Sequence, residues 1–381
     1  MPHLARACVI LLVFVGSAAA GPRARDLGVP FDGTPGPLNA ITDVRGVTVG
    51  HATLIASAGE GREIRTGVTA VLPRGADSSK LPVFGGWFSL NGNGEMTGTA
   101  WIDESGLVDG PVMITNTHSV GVVRDAVIAW RVRRGDADAS GYWWSLPIVA
   151  ETWDGYLNDI NGFHVKPEHA VAALENARAG VVEEGNVGGG TGMVCHEFKC
   201  GIGTASRVVA IDSQRYTVGV LVQANYGLRD TLRIAGAPVG KHLRKNRVYS
   251  EAPPASETGS IIIVAATDAP LLPHQLKRIA RRAAMGLARN GSYAGNGSGD
   301  LFVAFSTANE QAVAGKAVRT ATFVDNDSID PLFRATVEAT EESIVNAMVA
   351  ARDMRGDQGH LVNAVSHEEL RAVLKRYGRL E

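Results

Sequence analysis

Ser260 lies where a polar segment meets an apolar one, and its hydroxyl is a candidate nucleophile. Residues 251–258 are polar and contain two prolines, whereas residues 260–264 have the composition of a buried strand. A hydroxyl at the start of such a strand is held in place, and the segment before it is free to leave. Gly259 tolerates strained backbone conformations and leaves its carbonyl open to attack. The pattern predicts a precursor cut between Gly259 and Ser260; an ordinary loop-to-strand junction is the alternative.

A serine hydroxyl becomes an effective nucleophile only when a base removes its proton. Cleavage would supply one, because the α-amino group of an N-terminal Ser260 has a pKa of roughly 8 and suits general-base work at neutral pH. A second relay is offered by Ser298 and Asp300, which lie just before an apolar strand over 301–306. Asp300 could orient the Ser298 hydroxyl, which could bridge to Ser260 if the two strands are neighbours in one sheet. A solvent-exposed turn is the alternative.

Acyl transfer also requires hydrogen-bond donors for the oxyanion. Asn225 ends the apolar stretch 221–225 and offers a side-chain amide. A turn-forming asparagine is the alternative interpretation. The predicted chemistry is acyl transfer through Ser260, with Asn225 as a candidate donor.

The elements that must position these residues alternate irregularly between strand and helix, which favours α/β or α+β layers with helices covering sheets. Residues 85–95, rich in glycine and asparagine, are interpreted as a surface loop, with a plain turn favoured over a ligand-approaching loop. The glycine-rich loop 188–193 lacks the lysine and the spacing of a phosphate-binding motif. Strands are predicted over 47–54, 66–72, 110–116, 146–150, 208–211, 216–225, 260–266 and 301–306. Helices are predicted over 120–132, 169–179, 273–289, 330–354 and 366–377.

Bulk charge argues against binding of nucleic acid. The 381 residues include 37 basic and 39 acidic side chains, for a net charge of −2. A protein that binds nucleic acid through its overall charge would be strongly basic. The basic face of the helix over 273–289 is therefore interpreted as solvated or salt-bridged.

The N-terminal 20 residues resemble a targeting segment. His3 and Arg6 precede an apolar run over 8–15, and small residues at 17–20 form a plausible cleavage site before Gly21. The run is short for a bilayer span, so we expect removal, with an uncleaved anchor as the alternative. The prediction is an exported protein, periplasmic or secreted, with no membrane contact after removal of residues 1–20.

Two cysteines, Cys195 and Cys200, remain after such a removal. In an oxidising compartment they could pair, but spacing alone does not decide this. A metal site is weakly indicated because no second ligand pair at zinc-like spacing accompanies them. Two buried or facing thiols are favoured, and no metal or cofactor is predicted.

Beyond these residues, the chain resembles the DmpA-type L-aminopeptidase/D-esterase/amidases and the related β-peptidyl aminopeptidases. The resemblance runs in order along nearly the whole chain after residue 20. It is carried by residues 91–98 (NGNGEMTG), 158–162 (NDING), 189–193 (GGTGM), 201–207 (GIGTASR), 222–225 (VQAN), 259–262 (GSII), 266–276 (ATDAPLLPHQL) and 298–300 (SGD).

The resemblance implies an αββα sandwich that cuts itself between Gly259 and Ser260. Residues 21–259 would form a large subunit and 260–381 a small one, both within one domain, and such pairs would assemble into a homo-oligomer. The resemblance implies Ser260 as nucleophile, Ser298 and Asp300 as its support and Asn225 at the oxyanion. The remaining implied site residue is Glu151, which would receive the free amino group of the substrate.

One position departs from the pattern of the family. Trp153 stands where the DmpA-type sequences carry tyrosine. An indole N–H donates a hydrogen bond but does not exchange a proton as a phenol does. A tyrosine contribution to the oxyanion site is therefore not expected here, and Trp153 is predicted to reshape the substrate pocket.

The sequence as a whole predicts an exported, self-cleaving serine aminopeptidase or amidase that acts on small peptides, amides or esters through an acyl-enzyme on Ser260. An acyltransferase of the same architecture and an inactive periplasmic binding protein are the alternatives. The binding protein is disfavoured because the Gly259–Ser260 junction and the Ser298/Asp300 pair are present. The preference for L-α-, D- or β-aminoacyl groups, and for amides or esters, stays open.

Overall fold

The computed structural model describes residues 21–248, 257–313 and 317–380. The predicted targeting segment, residues 1–20, and the segment 251–256 before the junction lie outside the described residues. Within those described ranges, no helix combines the length and the apolar character needed to cross a membrane.

Fourteen strands are present in the described part of the chain, and several coincide with the apolar stretches predicted above. They are β1 (Thr48–Gly59), β2 (Arg62–Ala76), β3 (Val83–Gly92), β4 (Leu107–Val108), β5 (Val112–Asn116), β6 (Ile148–Thr152), β7 (Val194–Cys195), β8 (Phe198–Lys199), β9 (Ile202–Ile211), β10 (Gln214–Asn225), β11 (Thr258–Thr267), β12 (Gly297–Ser306), β13 (Met354–Arg355) and β14 (Leu361–Val362).

Seven α-helices accompany the strands within the described ranges. They are α1 (Thr99–Ser105), α2 (Val120–Arg133), α3 (Pro167–Glu175), α4 (Pro273–Arg289), α5 (Glu310–Val313), α6 (Asp330–Val349) and α7 (His367–Arg376). Proline stands in the first turn of α3, α4 and α6, where its fixed φ suits the helix and its missing N–H costs nothing. The Ser366 hydroxyl accepts a hydrogen bond from the Glu369 N–H and so caps α7, as its sequence predicts.

Two main sheets are stacked between two layers of helices. One sheet has the order β4-β3-β12-β11-β10-β9 and the other the order β1-β2-β5-β6. One apolar cluster joins the two sheets, a second joins the six-stranded sheet to α4 and α6, and a third joins the four-stranded sheet to α2 and α3. The fold is thus an αββα sandwich, and the predicted layered α/β class is confirmed.

The strand that carries Ser260 lies inside the six-stranded sheet. β11 pairs antiparallel with β10, where Ser260 faces Asn225, and parallel with β12, where Ser260 faces Gly299. The run Ile261–Val264 is completely buried because apolar layers cover both faces of this strand. The expectation that the Ser260 and Ser298 segments belong to adjacent strands is confirmed.

Two local predictions were wrong, and one open alternative, the exposed turn at 297–300, is excluded. Residues 85–92 belong to β3 and not to a surface loop, because the glycines there allow close packing: a Cβ on Gly86 would lie 2.5 Å from the Lys277 backbone nitrogen. Residues 297–300 are the first residues of β12 and not an exposed turn. The long helix α6 ends at Val349, five residues before the predicted end at Met354, which instead pairs in β13.

Cys195 and Cys200 form a disulfide that closes the β7–β8 hairpin. Both residues are fully buried, as predicted, but they are bonded to each other, so the favoured interpretation as two thiols was wrong. Among the described residues, no group of three or more His, Cys, Asp or Glu side chains is arranged to hold a metal ion.

Candidate active site

A cavity of about 730 Å³ opens at the end of the sheets where β11 begins. It contains Ser260, Asn225, Glu151 and Trp153, together with Gly259 on the other side of the predicted cleavage point. The remaining lining is Gly92, Asn93, Gly94, Glu95, Thr117, Tyr156, Gly192, Val194, Glu197, Tyr226, Gly227, Leu228 and Gly297. The structure therefore brings together four of the six side chains that the sequence singles out.

Asn225 is held rigidly beside Ser260. Its Oδ1 accepts a hydrogen bond from the Val194 N–H at 2.8 Å, and its Nδ2 donates to the Trp153 carbonyl at 2.8 Å. An amide group has two N–H donors, so one remains for the cavity. Because Asn225 and Ser260 are directly opposite in antiparallel strands, their side chains leave the same face of the sheet. The pair can serve as hydroxyl nucleophile and oxyanion donor.

Ser298 and Asp300 lie on the neighbouring strand but on the other face of the sheet. Ser260 is in register with Gly299, and side chains alternate along a strand, so Ser298 and Asp300 leave the face opposite to the Ser260 hydroxyl. Phe302, next but one after Asp300, packs in the cluster under the helices, in agreement with this direction. The pair therefore adjoins the backbone of residues 259 and 260 and not the Ser260 Oγ.

The Ser298 hydroxyl donates a hydrogen bond of 2.7 Å to Asp300 Oδ1, and both residues are fully buried. Burial raises the pKa of Asp300 to about 6, although the Ser298 hydrogen bond opposes the shift; the negative charge of Glu257 adds to it. Asp300 Oδ2 has no hydrogen-bond partner in the described part of the chain. A positive charge at this position would stabilise the ionised form of Asp300.

Glu151 lies at the end of β6 with its carboxylate directed into the cavity. One oxygen accepts the Glu95 N–H at 3.0 Å, and the other accepts a hydrogen bond from the Thr117 hydroxyl. Burial raises the pKa of Glu151, an effect that these two hydrogen bonds reduce. A partly desolvated carboxylate of this kind binds an ammonium group more strongly than an exposed one does.

Trp153 contributes to the site in two separate ways. Its indole is 46% exposed at the cavity and packs over Gly155, where a Cβ would lie 2.6 Å from the ring. Its backbone carbonyl holds the amide of Asn225. The second contact does not depend on the side chain, so the exchange of tyrosine for tryptophan reshapes the pocket wall and leaves the Asn225 anchor in place.

Several site residues escape sequence reasoning. Glu95 and Thr117 position Glu151, Val194 positions Asn225, and Glu257 is buried near Asp300. The loop 93–95 offered a signal, because amide and glycine residues at a strand end suit a ligand site. Val194 contacts Asn225 through its backbone N–H, which every residue type except proline has, so the sequence gives no signal for this contact.

Two stacked sheets between layers of helices, with Ser260 and Asn225 side by side in a cavity at the sheet edge, are the arrangement expected of a hydrolase with a layered αββα fold. The chain belongs to Peptidase family S58, whose profile matches residues 39–362. It is thus a hydrolase of the aminopeptidase type.

Known members of the family are similar over almost their full length. The β-peptidyl aminopeptidase BapA of Sphingosinicella microcystinivorans is 55% identical, covering 97% of this chain and 96% of that protein. BapA of Sphingosinicella xenopeptidilytica is 47% identical over 96% of this chain and 94% of that protein. The solved L-aminopeptidase D-Ala-esterase/amidase of Ochrobactrum anthropi, described as a variant of the Ntn-hydrolase fold, is 50% identical, with a TM-score of 0.90 over 94% of this chain and 100% of that one.

Proposed function

We propose that this protein is a self-processing serine aminopeptidase that releases N-terminal aminoacyl groups through an acyl-enzyme on Ser260. The observation that supports this most directly is the shared cavity of Ser260, Asn225 and Glu151, with Gly259 at its wall. These residues supply a nucleophile, an oxyanion donor and an ammonium receptor in one space.

Maturation is proposed to begin with attack of the Ser260 hydroxyl on the Gly259 carbonyl carbon. The C–N bond breaks, the hydroxyl proton passes to the departing nitrogen, and Gly259 becomes an ester of the Ser260 side chain. Water then hydrolyses this ester to a Gly259 carboxylate and restores the hydroxyl. The products are a free Ser260 α-amine and a chain break.

Turnover is proposed to use the new α-amine as the general base. The amine takes the hydroxyl proton as Oγ bonds to the substrate acyl carbon, and the proton then passes to the leaving nitrogen or oxygen. Asn225 Nδ2 donates to the oxyanion, and water releases the acyl group by the reverse proton path. Because Ser298 and Asp300 lie on the other sheet face, they are assigned to the amine, which they orient, and not to direct contact with the hydroxyl.

Glu151 is proposed to select substrates with a free amino group. Two similar proteins are named β-peptidyl aminopeptidases and a third is named an L-aminopeptidase D-Ala-esterase/amidase. We therefore propose β-aminoacyl and L-α-aminoacyl amides as the substrate classes. A spacious cavity with an indole wall accommodates both lengths of acyl chain.

Intact-mass measurement tests the proposal. Wild-type protein should contain a fragment that begins Ser-Ile-Ile-Ile and releases p-nitroaniline from aminoacyl anilides, whereas Ser260→Ala should stay uncut and inactive. Active but uncut wild-type protein would refute the processing, and active Ser260→Ala would refute the nucleophile. Comparison of L-α-, D- and β-aminoacyl anilides assigns the substrate class, and an added amine acceptor reveals acyl transfer by the mass of its product.

Export and assembly complete the proposal. We propose removal of residues 1–20, so the large fragment should begin at Gly21 when the protein is recovered from an exporting host. Two-fragment protomers are proposed to form a homo-oligomer, which native mass spectrometry measures directly. A large fragment that retains Met1 after export would contradict the removal.

A further inference from the structure

Glu257, three residues before Ser260, is held in a cradle of neutral hydrogen-bond donors. Its Oε1 accepts the Ser292 hydroxyl at 2.9 Å, and its Oε2 accepts the N–H groups of Tyr293 and Gly295, each at 3.3 Å. Its own N–H donates to the Tyr293 hydroxyl at 3.2 Å. The residue is completely buried although the polar segment to which it belongs was expected to be free.

The loop that forms this cradle is fitted closely to Glu257. A Cβ on Gly295 would lie 2.7 Å from the Glu257 Cβ and 2.8 Å from its carbonyl oxygen. The cradle loop connects α4 to β12, and Gly297, in β12, is in register with Thr258. The same loop therefore fixes both the residue before the junction and the strand beside it.

Between Glu257 and Ser260 the backbone adopts a conformation that favours glycine. Gly259 has φ +136°, and a Cβ there would lie 2.3 Å from the Asn225 carbonyl oxygen. Glycine adopts such a conformation without strain, and the same freedom means that the flanking residues must hold it in one position. Pairing with β12 fixes the junction from Thr258 onward, and pairing with β10 adds to it from Ser260. On the other side, Glu257 in its cradle fixes the chain before Thr258.

Burial of a carboxylate without a cationic partner costs folding free energy, which suggests that Glu257 has a role other than stabilising the fold. In the described part of the chain, the hydrogen-bond donors to Glu257 are a hydroxyl and two backbone N–H groups. Glu257 lies directly before β11, and it is near enough to Asp300 for its negative charge to raise the pKa of that carboxyl. Cleavage before Ser260 would create a positive charge on this strand, namely the α-ammonium group of Ser260.

We propose that Glu257 is a positioning residue for self-cleavage, whose cradle of Ser292, Tyr293 and Gly295 holds the Gly259 carbonyl in line for the Ser260 hydroxyl. This inference rests on the proposed self-cleavage. It assigns Glu257 to maturation and not to turnover, because its side chain is absent from the cavity wall formed by the described residues. Small errors in the alignment of reacting groups lower rates by up to about 100-fold.

Two variants test the cradle from its two sides. Glu257→Gln keeps size but loses the charge and one of the two acceptor oxygens, so either the Ser292 hydroxyl or the N–H groups of Tyr293 and Gly295 lose their acceptor. Gly295→Ala keeps the carboxylate and intrudes on it by a Cβ. The exposed Glu175→Gln, at the end of α3, is the matched control for loss of one negative charge.

Maturation is followed in a cell-free synthesis reaction by pulse-labelling and by the intact masses of uncut and cut chains. We expect both cradle variants to mature about 10- to 100-fold more slowly than wild type. Once fully cut, their kcat and KM should change by a much smaller factor. Glu175→Gln should match wild type in both measurements.

The outcomes separate the cradle from the proposed function. Wild-type protein that never cuts overturns self-cleavage itself. Wild-type and Glu257→Gln proteins that cut equally fast overturn only the cradle. Equal losses in maturation and in turnover also overturn it, as does a loss of thermal stability, measured in uncut Ser260→Ala chains, that accounts for the slower maturation.

Discussion

At the scale of single residues, the site depends on carboxylates whose burial changes what they bind. Glu151 accepts hydrogen bonds from the Glu95 N–H and the Thr117 hydroxyl, and its burial disfavours the ionised carboxylate. A bound ammonium group would offset that cost. Asp300 is buried beneath the Ser260 backbone, where the proposed cleavage creates an amine. Each carboxylate is thus assigned to a different amino group, one from the substrate and one from the enzyme.

Replacement of Glu151 should separate substrate recognition from maturation. Glu151→Gln keeps the shape but loses the charge, and a charge-assisted hydrogen bond contributes about 1.5–3 kcal/mol. We therefore expect kcat/KM for substrates with a free amine to fall about 10- to 100-fold, while cleavage at Gly259–Ser260 proceeds as in wild type. Anilide kinetics and intact mass on the same samples measure both. Unchanged kinetics would remove Glu151 from the amine site.

Asp300 should make the uncut chain less stable as pH rises. Its folded-state pKa of about 6 exceeds the model-peptide value of 3.8, so between these pH values the folded state holds a proton that the unfolded state has released. The free energy of unfolding then decreases with rising pH, by on the order of 3 kcal/mol above pH 6. In the Ser260→Ala background, Asp300→Asn should remove this decrease.

Urea unfolding between pH 4 and pH 7.5 measures this effect. Burial also raises the pKa of Asp154 to about 6, so a residual slope is expected in the Asn variant. The quantity compared is the difference between the two chains, which should grow with pH and level off above pH 6. A difference that does not depend on pH would show that Asp300 keeps its ordinary pKa.

Site residues can be predicted from the sequence when a reactive or polar side chain stands at the end of an apolar strand. Ser260 and Asn225 are found because each ends or begins an apolar strand, and the structure places them opposite each other. The face on which Ser298 and Asp300 lie could not be predicted, because it depends on the register of two strands separated by α4. Glu257 was missed since a lone acid in a polar segment carries no signal of burial.

At the scale of elements, the disulfide hairpin β7–β8 supports Asn225, the proposed oxyanion donor. The N–H of Val194 anchors Asn225 Oδ1, and Cys195, the next residue, is bonded to Cys200. The hairpin is short, and Arg229 also holds its turn by donating to the carbonyls of His196 and Glu197. The disulfide therefore influences the position of Asn225 through the backbone N–H of Val194.

Removal of the disulfide should lower turnover more than substrate binding. In the double variant Cys195→Ser/Cys200→Ser, the hairpin is free to shift and Asn225 loses part of its alignment. We expect kcat to fall about tenfold, less than the loss that follows deletion of an oxyanion donor, with KM nearly constant because Glu151 is untouched. Anilide kinetics well below the melting temperature measure this. A kcat equal to that of wild type would exclude the hairpin from positioning Asn225.

Periodicity predicts elements well where one face is apolar and poorly where glycine dominates. The run 260–266 and the helix over 273–289 are found with nearly correct bounds because their apolar pattern matches one period. β3 is missed because Gly85 and Gly86 are read as breakers, whereas they allow the strand to pack against α4 and β4. Such close approach is a property of the tertiary structure, which a local pattern does not contain.

At the scale of the whole molecule, a buried ion cluster joins the two proposed subunits. Glu342 on α6 belongs to residues 260–381, and it pairs with Arg207 at 2.7 Å and with Arg25 at 2.8 Å, both from residues 21–259. Asn39 donates to it as well. Burial opposes the charge of Glu342, but the hydrogen bond from Arg25 and the charge of Arg207 outweigh it, so the pKa of Glu342 is lowered.

Loss of this carboxylate should weaken the association of the cut fragments. Glu342→Gln removes the shorter of two ion pairs of the buried Arg207 guanidinium and leaves the contact with Glu338 at 3.8 Å, so the loss should approach the cost of breaking a buried pair, typically about 3–5 kcal/mol. In the cut protein, the fragments are no longer covalently joined, so the urea midpoint should fall and become dependent on protein concentration. In the uncut Ser260→Ala chain the same substitution should lower the midpoint without a concentration dependence. Equal midpoints for Glu342→Gln and the exposed control Glu175→Gln would show that apolar packing alone holds the fragments together.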